Sequence, residues 1–235
     1  MLKKINFDEV KNIVILSAIL LIAFVFIHNE LGSSLFDSSS YNSYDLQAQA
    51  WLNGKIHLDK DYPWLELAIY NGRYYVSFPP LPSVVVLPFV MMFGLNAPDN
   101  FIIFLIILAN CIVAYKLLRK CGSNVFISIL LSCGLVLGSN MFSMAVNGGV
   151  WFIAQALNML LCTMAIYFII SERRAFAYTA LALAVRMQTI FCNIYCSFIY
   201  LLLYKRKKTT NKRICTHKYI TTYSSFAYCY NFYGI

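Results

Sequence analysis

Blocks of uninterrupted apolar residues, several as long as a bilayer is thick, constrain this chain more than any other feature. Six of them cover residues 13–27, 101–118, 125–142, 150–170, 175–187 and 189–204, and a shorter one covers 81–93. A helix rises 1.5 Å per residue, so about 20 residues cross some 30 Å of hydrocarbon. The two blocks between 175 and 204 are short for that task and need flanking residues or a wet cavity to span. The 81–93 block is too short and reads as a re-entrant or interfacial helix covering 80–94. With 60% hydrophobic and 12% charged residues, against about 25% charged in ordinary soluble domains, a lone water-soluble globule and a disordered chain are both excluded.

Charge orients the blocks. The net charge of +9 does not point to nucleic acid, because its positions follow the membrane. All 19 basic residues except Lys55, Lys60, Arg73 and Arg186 fall in four groups: Lys3, Lys4 and Lys11; Lys116, Arg119 and Lys120; Arg173 and Arg174; and Lys205 onward. Basic residues concentrate in short cytoplasmic loops, so residues 1–12 are expected in the cytoplasm and the chain between 175 and 204 is expected to cross twice. Residues 28–79 then lie outside, carrying Glu30, Asp37, Asp45, Asp59, Asp61 and Glu66. The first block follows Lys3 and Lys4 without a small-residue cleavage site after Ile27, and reads as an uncleaved anchor.

Within the outer segment, Ser43 followed by 44–53 and Gly54 reads as a short capped helix, Ser43 supplying a hydroxyl to the first free amides. Tyr44, Ala48, Trp51 and Leu52 share one face and Asp45, Gln49 and Asn53 another. The expected pose is flat on the membrane, apolar side in lipid and the Asp45 stripe toward solvent or the bundle. Asp45 has two readings, a functional carboxylate or a complement to the helix dipole. Residues 67–70 and 73–78 around Asn71-Gly72 read as a hairpin with a type I′ turn, and Pro79-Pro80-Leu81-Pro82 starts the short helix. No cysteine lies in this segment, so no disulfide framework is expected outside. Cys192 and Cys196, four residues apart with no His or carboxylate nearby, read as packing residues and not metal ligands.

Arg186 interrupts the apolar run, where a guanidinium costs at least about 2.5 to 3.5 kcal/mol at mid-membrane. With Gln188 it is expected at the outer turn of a helical hairpin. There it either binds a phosphate through its planar fork or snorkels and pairs structurally.

Tyr44-Asp45-Leu46 through Ala48, Leu52 and Gly54, then Asn71-Gly72-Arg73-Tyr74-Tyr75, Phe78-Pro79-Pro80-Leu81 and Phe93-Gly94, resemble the polytopic GT-C glycosyltransferases. These include the relatives of protein O-mannosyltransferases and aminoarabinose transferases, which use a polyprenyl-phosphate-linked sugar. Ala180 to Thr189 is similar to that family's small-residue helix ending in a basic residue near the lipid phosphate. The resemblance implies an outward-facing site at which Asp45, with Asp37 as its rival, takes the acceptor proton, while Arg186 steadies the departing phosphate. It implies a lipid-linked sugar donor, no other cofactor, and an acceptor it does not specify. Family members commonly carry a second acid in the next outer loop, but Ser143 to Gly149 offers only Asn147, so no metal site is expected.

From Lys205 the chain turns to Lys, Thr, Tyr, Ser and Asn without periodicity. Residues 205–235 read as the product of a truncated or frameshifted gene, or as a basic cytoplasmic tail held by anionic lipids. The expectation is an all-helical membrane bundle of about six spans plus interfacial helices and a small hairpin, in the inner (plasma) membrane with a cytoplasmic N-terminus. It is read as the N-terminal part of a lipid-linked sugar transferase. A transporter or flippase of an anionic lipid-linked substrate and a non-catalytic membrane subunit are the rival readings.

Overall fold

The computed structural model describes residues 7–187. Among these the chain is mostly helical, with eight α-helices, one two-stranded sheet and one 3-10 turn at Gly94–Asn96. The helices are α1 (Phe7–Glu30), α2 (Ser43–Leu52), α3 (Leu81–Phe93), α4 (Asp99–Lys120), α5 (Val125–Leu137), α6 (Asn140–Ala145), α7 (Val150–Ile170) and α8 (Arg174–Met187). Three of them, α1, α4 and α7, are long and apolar enough to cross a membrane. The chain is a membrane protein by that measure. The expected sixth block, 189–204, and the tail, 205–235, lie outside the described residues.

Burial ranks the long helices. α1 buries only Leu16, Leu20, Phe24 and His28, one stripe at spacing four, which is the face a peripheral helix turns to its neighbours. Phe24 seats this stripe, with its ring 5.5 Å from both Phe104 and Phe142. α4 buries half its residues, from Asp99 to Tyr115, and is the central helix, packed on α7 and α5. α8 returns along α7 after a turn in which Glu172 adopts a φ of 59° and the Arg173 amide donates to the Phe168 carbonyl at 2.8 Å.

The expected helix over 125–142 is divided. α5 stops at Leu137, and α6 restarts behind Ser139, whose hydroxyl accepts from the Met141 amide and donates to the Leu135 carbonyl. Consecutive Gly138 and Ser139 explain the break, since Gly/Ser pairs are common sites of helix kinking.

In the outer segment β1 (Leu67–Tyr70) pairs antiparallel with β2 (Arg73–Val76) in the register Tyr70 to Arg73. Asn71 and Gly72, at φ 49° and 72°, make the two-residue turn that the Asn-Gly pair predicts. The hairpin side chains Leu67, Tyr74 and Val76 cover a small core of Leu46, Ala50 and Leu58, fastening the hairpin to α2.

The pose of α2 corrects the sequence reading. Tyr44 and Ala48 are buried in protein and not offered to lipid, and Asp45 is buried as well. The helix is wedged between α3 and the hairpin, with the Ser83 hydroxyl donating to Gln47 Oε1 at 2.7 Å. The cap also differs. Asn42 occupies the N-cap position without a side-chain bond, and the Ser43 hydroxyl is buried without a partner among the described residues. Gly54, at φ 70°, ends the helix as expected.

Candidate functional site

The site is built at one end of the bundle, where α1 leaves, α4 and α7 begin, and the segment 33–42 crosses between them. Asn100, in the first turn of α4, ties these parts together. Its amide donates to the Asp37 carbonyl at 3.3 Å, its Nδ2 donates to the Ser34 carbonyl at 2.9 Å, and its Oδ1 accepts from the Gly148 amide at 2.9 Å. The Val150 amide donates to the Tyr41 carbonyl at 3.2 Å, which brings the start of α7 to the same place. Gly148 lies so close to α4 that an added Cβ would stand 2.6 Å from the Asp99 carbonyl oxygen and closer still to the Asp99 Cβ. That approach accounts for a glycine there.

Inside this frame Asp45, from the first turn of α2, meets Asp99, the first residue of α4. Both are almost wholly enclosed, at 1% and 2% exposure. The Ser39 amide donates to Asp99 Oδ2 at 2.7 Å. No N–H or O–H donor among the described residues reaches either oxygen of Asp45, and the group facing it is the Asp99 carboxyl, with which it can share a proton. Burial first, and then the Asp99 charge and hydrogen bond, push the Asp45 carboxyl up to about 8. Two like charges taken out of water cannot both persist cheaply, and one shared proton is the ordinary resolution.

Beside the pair, the Ser43 hydroxyl and the Tyr44 phenol are buried with no hydrogen-bond partner among the described residues, and burial raises the Tyr44 phenol above its ordinary range. Each such group costs about 1 to 3 kcal/mol, and with Asp45 they make an enclosed polar patch of three consecutive residues. Beside it runs a row of rings. Phe78 is edge-on to Tyr44 at 6.3 Å and to Trp151 at 6.3 Å, and Trp151 leans on Tyr41 at 5.6 Å.

The other residues singled out from the sequence are placed differently. Asp37 is exposed and closes its own turn, its Oδ2 accepting from the Ser34 amide at 2.7 Å. Arg186 is exposed on α8 and makes no hydrogen bond or ion pair among the described residues. It stands about 18 Å along α8, while α7 takes about 30 Å to reach the rim. No interaction among the described residues joins it to the carboxyl pair, and Gln188 lies outside them. Asn147 holds its own loop, its Oδ1 accepting from the Gly149 amide at 3.0 Å.

Asp99 is the candidate site residue that the sequence reading missed. Behind Pro98 at the head of an apolar run, it looks like a dipole-complementing acid. The available signal was sidedness, because the charge pattern that puts 28–79 outside also puts the start of the 101–118 block there. The pair supplies two of the oxygens a hard cation takes, and no third His, Cys, Asp or Glu is gathered to it among the described residues. Its direct chemistry is to accept, hold and return one proton. Compared with protein-family models, curated proteins and solved structures, the chain matches none.

Proposed function

We propose that this protein is a multi-pass membrane transferase that moves a sugar from a polyprenyl-phosphate donor to an acceptor hydroxyl. Asp45 is the general base. The observation that carries the reading is the buried Asp45–Asp99 pair, in which Asp45 has no donor other than the Asp99 carboxyl among the described residues and a raised proton affinity. An acceptor hydroxyl bound there donates the missing hydrogen bond. As its oxygen attacks the anomeric carbon, its proton passes to ionised Asp45, and the bond from that carbon to the lipid phosphate breaks. A base whose pKa lies near the working pH is the effective kind. Arg186 is kept as the candidate for the lipid phosphate on the resemblance alone: it is exposed and without a partner among the described residues, and a donor whose phosphate it holds must bring its sugar from there to the carboxyl pair.

The proposal includes the topology of about six spans, with the N-terminus cytoplasmic in the plasma membrane and the carboxyl pair outside. Support comes from the distribution of charge over the bundle. Lys116, Arg119 and Lys120 end α4, Arg173 and Arg174 join α7 to α8, and Lys120 lies over the Tyr167 ring at 5.9 Å. These cations share the end remote from the pair, as the positive-inside rule requires.

The test uses the full chain reconstituted with labelled polyprenyl-phosphate sugars. Asp45→Asn is expected to lower transfer about 10²- to 10⁴-fold while donor binding persists. Transfer at the native rate would remove Asp45 from the chemistry. A proton-sharing carboxyl pair also suits a proton-coupled transporter. Label that crosses sealed vesicles without forming a new glycosidic bond selects that second reading.

A further inference from the structure

Away from the carboxyl pair, α4 and α5 bring two thiols together. α5 buries only Ser128, Ser132, Cys133 and Val136, and small side chains on such a stripe let two helix backbones approach closely. The approach is tight enough that the Cys111 thiol of α4 donates to the Ser132 carbonyl of α5 at 3.2 Å. Cys133, the next residue, holds its thiol within hydrogen-bonding reach of the Cys111 sulfur. Cys111 is wholly enclosed and Cys133 is 9% exposed. The two lie about 18 Å along α4 from Asp99, near the middle of a helix long and apolar enough to cross a membrane.

Their surroundings decide what the two sulfurs can do. An ionised sulfur between apolar helices is costly, and a soft cation held by two thiolates needs both ionised. No third His, Cys, Asp or Glu joins them to complete a metal site among the described residues. A cystine is neutral, so its formation leaves no charge in the hydrocarbon. We propose that Cys111 and Cys133 are a redox-active dithiol that closes to a disulfide and staples the central helix to α5, with a quinone dissolved in the bilayer as the oxidant. Two S–H bonds break and one S–S bond forms. Each sulfur gives up one electron and one proton, and the quinone takes up all four to become the hydroquinone. The way in is from the lipid side of α5, where Leu130, one turn from Cys133, is 57% exposed. The dithiol takes no part in the sugar transfer proposed above.

The experiment places the full chain in nanodiscs, with the other six of its eight cysteines replaced by alanine, and adds a short-chain benzoquinone that partitions into the bilayer. One hydroquinone should form per chain, and residues 111 and 133 should be recovered in a single cross-linked pair of peptides that reduction releases. Phenylarsine oxide, a neutral probe that bridges two thiols with loss of water, should bind once to each reduced chain and not at all after oxidation. Cys111→Ala and Cys133→Ala should each abolish both responses. The first two readouts are made on the chain that keeps both thiols, so neither depends on how a variant folds. Thiols that remain open to alkylation after the quinone treatment, with no hydroquinone formed, overturn the proposal. A pair that captures the arsenical yet resists the quinone overturns it as well, and leaves Cys111 and Cys133 as packing residues. Quinone reduced equally by either single variant does the same.

Discussion

At Asp45 the dominant energetic fact is the loss of water, and the Asp99 charge adds to it. A native proton affinity above the ordinary carboxylate value of 3.8, at about 8, means that between about pH 4 and pH 8 the folded state holds more protons here than the unfolded chain does. Stability contributed by this group therefore falls as pH rises through that window. The proposed catalysis runs the other way, because a base must be ionised. The kcat/KM for transfer is expected to climb with pH, with a midpoint near 8, and to level off above it. Asp99→Asn removes the like charge and should move this limb to lower pH, though not to the ordinary range, since burial is the larger cause. A limb that stays in place in Asp99→Asn would show that the two acids do not interact. Asp45 was legible because its short helix was. Its partner was not, since Asp99 is distant in sequence and its local setting has an adequate local explanation.

Elements with a local cause were read accurately. Asn71-Gly72 dictates the hairpin, and uninterrupted apolar runs dictate α4 and α7. Where an element depends on its neighbours, local reading failed. The amphipathic pattern of α2 suits a helix on a membrane equally well, and only its contacts with α3 and the hairpin decide that Tyr44, Asp45 and Ala48 are covered by protein while Leu52 stays exposed. The loop 146–149 is the element on which the site's geometry turns, because it holds Asn100 and touches the Asp99 backbone. Gly148→Ala forces that contact apart and should cost about 1 to 3 kcal/mol of stability, with transfer reduced alongside. Gly149→Ala, whose Cβ would sit 3.3 Å from Asn147 Oδ1, should cost less. Thermal unfolding of the two variants in detergent checks the order, and a Gly148→Ala protein as stable as the native one would show that the close approach is not required.

For the whole molecule, the arrangement has a simple logic. Apolar length makes a membrane bundle, cations settle at one end, and the segment between α1 and α4 is folded over the other end, where it buries a carboxylate against the head of the central helix. The charge asymmetry was readable from composition by position. The convergence of 33–42, α2, α4 and 146–149 was not, because no residue in any one of them names its partners in the others. Proton sharing between Asp45 and Asp99 exists only if that convergence does, so it reports on the fold and the chemistry together. Infrared difference spectroscopy of the membrane-embedded protein at neutral pH measures it directly. The native chain should show the carbonyl band of a protonated carboxylic acid, altered in frequency or intensity in both Asp45→Asn and Asp99→Asn as the shared proton loses one of its two carboxyls. A native spectrum without that band, or one unchanged by either substitution, would contradict the account.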